Sequence, residues 1–156
     1  MERLPRILAG LGAAALIAGL LLYKTDPVLA PASSEGQFGG VTLTIEYAAD
    51  SAAREKGLGG RTDVPEGYAM LFVFPKDDFH GFWMKDTLVP LDIFWLDAKG
   101  QVVWIAADVA TSSYPGVFYP GKPARYVLET AAGFAREHRI VPGAPLLLKN
   151  FPTVSK

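Results

Sequence analysis

Val41, Leu43, Ile45 and Tyr47 alternate with Thr42, Thr44 and Glu46, the period-two pattern of a strand with one buried face. Asp50 offers a cap for a short helix through Lys56, which Gly57, Gly59 and Gly60 would end. Residues 68–74 (YAMLFVF) are apolar on both faces, as in a strand covered on both sides. Residues 75–78 (PKDD) read as a turn, and residues 80–84 as a further strand that the 87–90 segment breaks. Residues 91–96 and 101–107 flank DAKG, where Gly100 suits the left-handed position of a hairpin loop. Both runs are apolar on both faces, which predicts a central hairpin. Residues 111–123 hold three prolines and two glycines and read as a long ordered loop or flap. Residues 124–129 form another strand, Thr130 caps a short helix through His138, and Pro142-Gly143 turns the chain into a last strand at 145–149. About seven strands and two short helices predict an α+β, mainly β domain whose compact sheet is barrel-like.

The beginning of the chain follows a different pattern. Arg3 and Arg6 precede an unbroken apolar run over residues 7–23, and Lys24 ends it. A basic flank, an apolar stretch and a small-residue tail make the pattern of an export signal. Cleavage after Ala30 would put Pro31 beyond the scissile bond, whereas cleavage after Ala32 would leave Ser33 first. The alternative is an uncleaved N-terminal helix that anchors the protein, with its basic end in the cytoplasm. Either reading exports the remainder, to the periplasm or the outer face of the membrane. Residues 33–40 (SSEGQFGG) then read as a flexible linker, 41–150 as a single domain and 151–156 as a tail.

Composition narrows the classes. Half of the chain is apolar, which excludes a largely disordered protein. The formal net charge is −1, which excludes a nucleic-acid binder that works by bulk positive charge. Residues 1–32 hold three basic and two acidic residues, so the remainder keeps 12 Lys+Arg and 14 Asp+Glu. The absence of cysteine removes disulfides, thiol nucleophiles, cysteine-ligated zinc and a lipoprotein anchor.

Chemistry concentrates in residues 82–92 (FWMKDTLVPLD), which place Lys85, Asp86, Thr87 and Asp92 between an aromatic strand and a buried one. Asp92 shares strand parity with Phe94 and Leu96, so its carboxylate leans toward an apolar face and needs a cation or several donors. It reads either as a general base or ligand-binding group, or as a structural acceptor. Arg125 and Glu129 share a face with Val127 but lie about 13 Å apart along a strand, too far to pair with each other. Arg125 is the natural cation for Asp92 or for an anionic ligand. His80 and Met84 share parity, yet two ligands are too few for copper, so no metal and no cofactor is expected. There is no phosphate-binding glycine loop, nucleophile elbow or zinc-protease motif.

Residues 82–92, with 67–74 (GYAMLFVF) and 124–129 (ARYVLE), resemble the domain of unknown function 192 (DUF192) family from about Val41 to Leu148. Residues 54–61 (REKGLGGR) are similar to a further element of that family, with Gly59 where a methionine is usual. Asp86 stands in place of the usual asparagine, and Ser112 and Ser113 occupy a loop where some members carry cysteines. The resemblance implies a small, mostly β exported domain and no defined activity. It marks Arg61, Trp83, Met84, Lys85, Thr87, Pro90, Asp92, Arg125 and Glu129 as motif positions.

Three functional expectations follow. The first is a non-enzymatic module that binds a small ligand or an envelope protein. Its cleft lies between residues 82–92, the 111–123 flap and Arg125, and Trp83, Lys85, Thr87, Asp92, Arg125 and Glu129 are its candidate ligand contacts. The second is a metal-independent enzyme with Asp92 as general base, Lys85 as electrostatic stabiliser and Arg125 as anion clamp. The third is an assembly module acting through the 111–123 loop.

Overall fold

The computed structural model describes residues 33–154. The leader assigned to residues 1–32 lies outside the described residues. Seven strands build one sheet: β1 (Ser33–Phe38), β2 (Val41–Ala48), β3 (Tyr68–Asp78), β4 (Leu91–Leu96), β5 (Val102–Val109), β6 (Ala124–Ala131) and β7 (Leu146–Leu148). Two short helices, α1 (Ser51–Lys56) and α2 (Phe134–Glu137), complete the mainly β architecture. The strand order is β5-β4-β6-β3-β2-β1-β7, antiparallel throughout except for the parallel β2–β3 pair. The sheet curls into a half-barrel whose edge strands meet at one end only. There Gly143 N donates to Val102 O at 2.7 Å, Val102 N to Ala144 O at 2.9 Å and Leu146 N to Gly100 O at 2.9 Å. Among the described residues no helix is long and apolar enough to cross a membrane.

Strand alternation gives this sheet two apolar faces. The enclosed face draws a residue from every strand, among them Phe38, Leu43, Leu71, Phe94, Val102, Leu128 and Leu146. Phe134 of α2 closes it, stacked on Phe38 at 5.8 Å. The opposite face carries Phe72, Ile93, Trp95 and Val127, covered by Leu58, Phe82 and Met84 from the irregular segments. That covering layer holds the candidate site.

Several expectations are corrected here. Residues 33–38 are no linker but β1, paired with both β2 and β7. Gly36 serves close packing: a Cβ there would sit 2.6 Å from Leu148 and 2.7 Å from Ile45. Residues 75–78 continue β3 through a register irregularity between Val73 and Asp78. Residues 80–84 form no strand and pair only through the Phe82–Phe118 bridge, so the seventh strand is β1 instead. The β4–β5 hairpin is not central, because β5 ends the strand order and leaves Trp104 exposed. Thr130 continues β6, and the turn into α2 falls to Gly133 at φ 92°. The tail assignment fails at Phe151, whose ring lies 5.0 Å from Tyr126 and directly over Gly100.

Candidate functional site

A cavity of about 220 Å³ opens in the covering layer. One wall is α1 and its exit, from Arg54 to Leu58. Asp50 caps this helix by accepting from Ala53 N at 2.8 Å, and Gly57 ends it at φ 50°. Arg54 is locked rather than free. Its guanidinium donates to Ala49 O at 2.6 Å and Val73 O at 3.0 Å and lies 5.4 Å over the Phe74 ring. The opposite wall is the irregular segment that carries Gly81, Phe82, Trp83, Lys85 and Thr87. Phe82 stands edge-on to Phe72 at 4.8 Å and to Trp95 at 5.8 Å, which fixes that segment on the sheet. Lys56 and Lys85 also line the adjoining outer groove, so they mark the mouth of the cavity. Lys85 Nζ lies 5.8 Å from the exposed Trp83 ring.

The floor is Glu129 of β6. Its cross-strand neighbours are Met70 and Ile93, both buried and apolar, and Glu129 itself is only 4% exposed. Among the described residues no ion pair joins it to Arg54, Lys56 or Lys85, and no side-chain hydrogen bond reaches its carboxyl. Burial pushes its pKa up to about 8, so the carboxyl is neutral at neutral pH. Holding it there costs about 3 kcal/mol relative to an acid in water at pH 7. Among the described residues no ion pair or side-chain hydrogen bond offsets that cost.

Asp92 lies on the other face and is fully enclosed. Its Oδ1 accepts from Asp108 N at 2.6 Å and its Oδ2 from Ala135 N at 2.7 Å. Asp108, the last residue but one of β5, is left-handed at φ 51°, and Ala135 lies in the first turn of α2. Asp92 therefore latches the end of β5 and the start of α2 to β4 and has no opening through which to meet a substrate. The general-base expectation fails on this geometry, and so does the expected Asp92–Arg125 pair. Arg125 Nε instead donates to Asp77 at 2.6 Å in a partly exposed ion pair. Asp77 is brought there by the irregular end of β3, which runs beside the start of β6.

Of the six candidate contacts, Trp83, Lys85, Thr87 and Glu129 meet at the cavity, whereas Asp92 and Arg125 do not. The 111–123 flap meets the site where Tyr119 and Val117 pack on Gly81 and where Phe118 bridges to Phe82. Tyr114 lies beside Trp83 at 6.0 Å and stays exposed. Sequence reasoning missed the α1 wall as part of the site; its signal was the REKGLGGR stretch, noted only as a motif. His80 is stacked on Phe74 at 3.6 Å, and burial holds its pKa below the ordinary histidine value. Among the described residues no three potential metal ligands gather.

Comparison with known proteins gives a family and no activity. No curated protein matches. A Sinorhizobium meliloti protein, described as a candidate transcription regulator, shares 30% identity over 76% of this chain and 95% of its own, with a TM-score of 0.71. A Novosphingobium aromaticivorans protein of unknown function shares 29% identity over 78% of this chain and 89% of its own, with a TM-score of 0.70. The DUF192 family model, described as "uncharacterized ACR", matches residues 33–148 and so takes in all seven strands. The chain belongs to the DUF192 family.

Proposed function

We propose that this domain is a non-enzymatic module that binds a small molecule in the cavity floored by Glu129. One observation carries the reading: a buried carboxyl with no side-chain partner among the described residues lines an open cavity. A fold gains nothing from such a group, whereas a ligand that supplies a donor or a charge recovers its burial cost. Binding is favoured over turnover because the described lining includes no histidine, serine or cysteine. Nucleic acid is a poor partner for this domain. The net charge is −1, and Arg61, Arg125 and Arg136 are each engaged by a carboxylate. The basic flank and the apolar run over residues 7–23 support an exported location, periplasmic or held at the outer face of the membrane.

The test is thermal unfolding of the full chain in mild detergent against amino acids, amines, organic acids, sugars and nucleotides. A ligand at 100 times its Kd raises stability by about 2.7 kcal/mol. The reading expects a hit that Glu129→Gln and Lys85→Ala lose while Arg125→Ala, outside the cavity, keeps it. A hit lost only in Arg125→Ala would move the site elsewhere. Protease accessibility in intact and permeabilised cells tests the location.

A further inference from the structure

The cavity is polarised along its depth. At the bottom sits a carboxyl with no cation beside it. At the mouth stand Lys56 and Lys85, one from each wall, and no ion pair engages either among the described residues. The third basic residue of the lining, Arg54, is held by two backbone carbonyls and cannot turn inward without breaking both bonds. Most of the remaining lining is apolar or bare, as at Gly57, Leu58, Phe72 and Phe82, with the Thr87 hydroxyl as its polar exception.

We propose that the cavity takes a small zwitterion, its ammonium group against Glu129 and its acid group between Lys56 and Lys85. This rests on the reading of the cavity as a binding site and names the class of ligand. Each end of the site excludes the simpler alternatives. A plain amine satisfies the floor but must leave two lysines unmatched at the entrance. A plain acid matches the lysines but brings no cation to ionise and pair the carboxyl below. A molecule carrying both charges matches both ends, and the aromatic edges and faces between them tolerate an ammonium group in passage. Glu55 lines both the cavity and the outer groove and Asp86 lines the groove alone, so the two lysines stand beside two carboxylates, and it is Lys56 and Lys85, which line both spaces, that would place the acid group. The volume of about 220 Å³ holds roughly seven waters at liquid density, which is room for an amino acid and little more.

Binding an ammonium ionises Glu129, so complex formation at neutral pH must expel the proton that the empty site holds. The experiment is isothermal titration calorimetry of the full chain in mild detergent at pH 7, repeated in two buffers of different ionisation enthalpy. The probes are L-alanine, γ-aminobutyrate, butylamine and butyrate. The expected result is that a zwitterion binds at least tenfold more tightly than butylamine or butyrate and releases about one proton per site. Glu129→Gln should abolish the proton release and weaken binding tenfold or more. Lys85→Ala should weaken the zwitterion and leave butylamine unchanged. Circular dichroism spectra matching the wild type keep these losses from being read as unfolding. Butyrate binding as tightly as γ-aminobutyrate, or zwitterion binding without proton release, overturns the zwitterion and leaves the binding site standing. No binding by either zwitterion also overturns it, and the wider thermal panel then decides whether the cavity binds anything.

Discussion

Glu129→Gln should stabilise this protein, and increasingly so as pH rises. Glutamine matches the shape and neutrality of the protonated acid, so the variant leaves the packing with Met70 and Ile93 as it is. In the wild type the folded-state pKa of about 8 lies above the ordinary value of 4.5. The native state therefore holds the proton more tightly than the unfolded chain does. Stability from this group is complete below the unfolded value and is lost as pH rises through the folded one. The slope over that window is about 1.4 kcal/mol per pH unit, which accumulates to about 4 kcal/mol by pH 8. Glu46 and His80 act in the opposite sense. Burial raises the Glu46 pKa, but hydrogen bonds from Tyr68 and Arg61 outweigh it and hold the value low, while burial lowers that of His80. Both are unchanged by the substitution and cancel in the difference. The assay is urea unfolding of both proteins between about pH 5 and pH 9, with the m-value checked for constancy. The two curves should nearly meet at the acid end and separate steadily until about pH 8. Parallel curves across the whole range would refute the reasoning, because they would mean that Glu129 titrates alike in the folded and unfolded chain.

Three further outcomes follow from the packing. Asp92→Asn should lower stability by about 2 to 3 kcal/mol in urea unfolding, because an amide cannot accept from both Asp108 N and Ala135 N with two oxygens. Ligand binding should be unaffected wherever that variant stays folded. Arg125→Ala should cost less than about 1 kcal/mol by the same measurement, since its pair with Asp77 is partly exposed. Phe38→Ala should cost about 3 to 5 kcal/mol and lower Tm accordingly, because the ring lies edge-on to Phe94 at 5.0 Å and stacked on Phe134.

What the sequence made legible was set by how local each cause is. The alternation over Val41–Ala48 and the apolar run at the start of β3 announce strands because burial of a face writes itself into a period of two. The enclosure of Asp92 was legible from its parity with Phe94. Its partners were not, because the two N–H groups come from 16 and 43 residues away. β1 was illegible for a related reason. Its segment SSEGQF has one large apolar residue, and it becomes a strand because β2 and β7 offer edges on either side. Residues 80–84 carry the right alternation and still form no strand, because they lie over the sheet instead of beside it. Four of the six candidate contacts converge because parity put Glu129 on the face that residues 82–87 cover. Arg125 shares that face but sits at the end of β6, where Asp77 reaches it first.

The most direct measurement is a carbon-13 NMR titration of the Glu129 carboxyl in the full chain, assigned by its loss in Glu129→Gln. A midpoint near 8 is what a buried acid facing an empty cavity requires. A midpoint near the ordinary 4.5 would contradict it, since the carboxylate would then be satisfied by a partner or water within the fold, with no burial cost left for a ligand to recover.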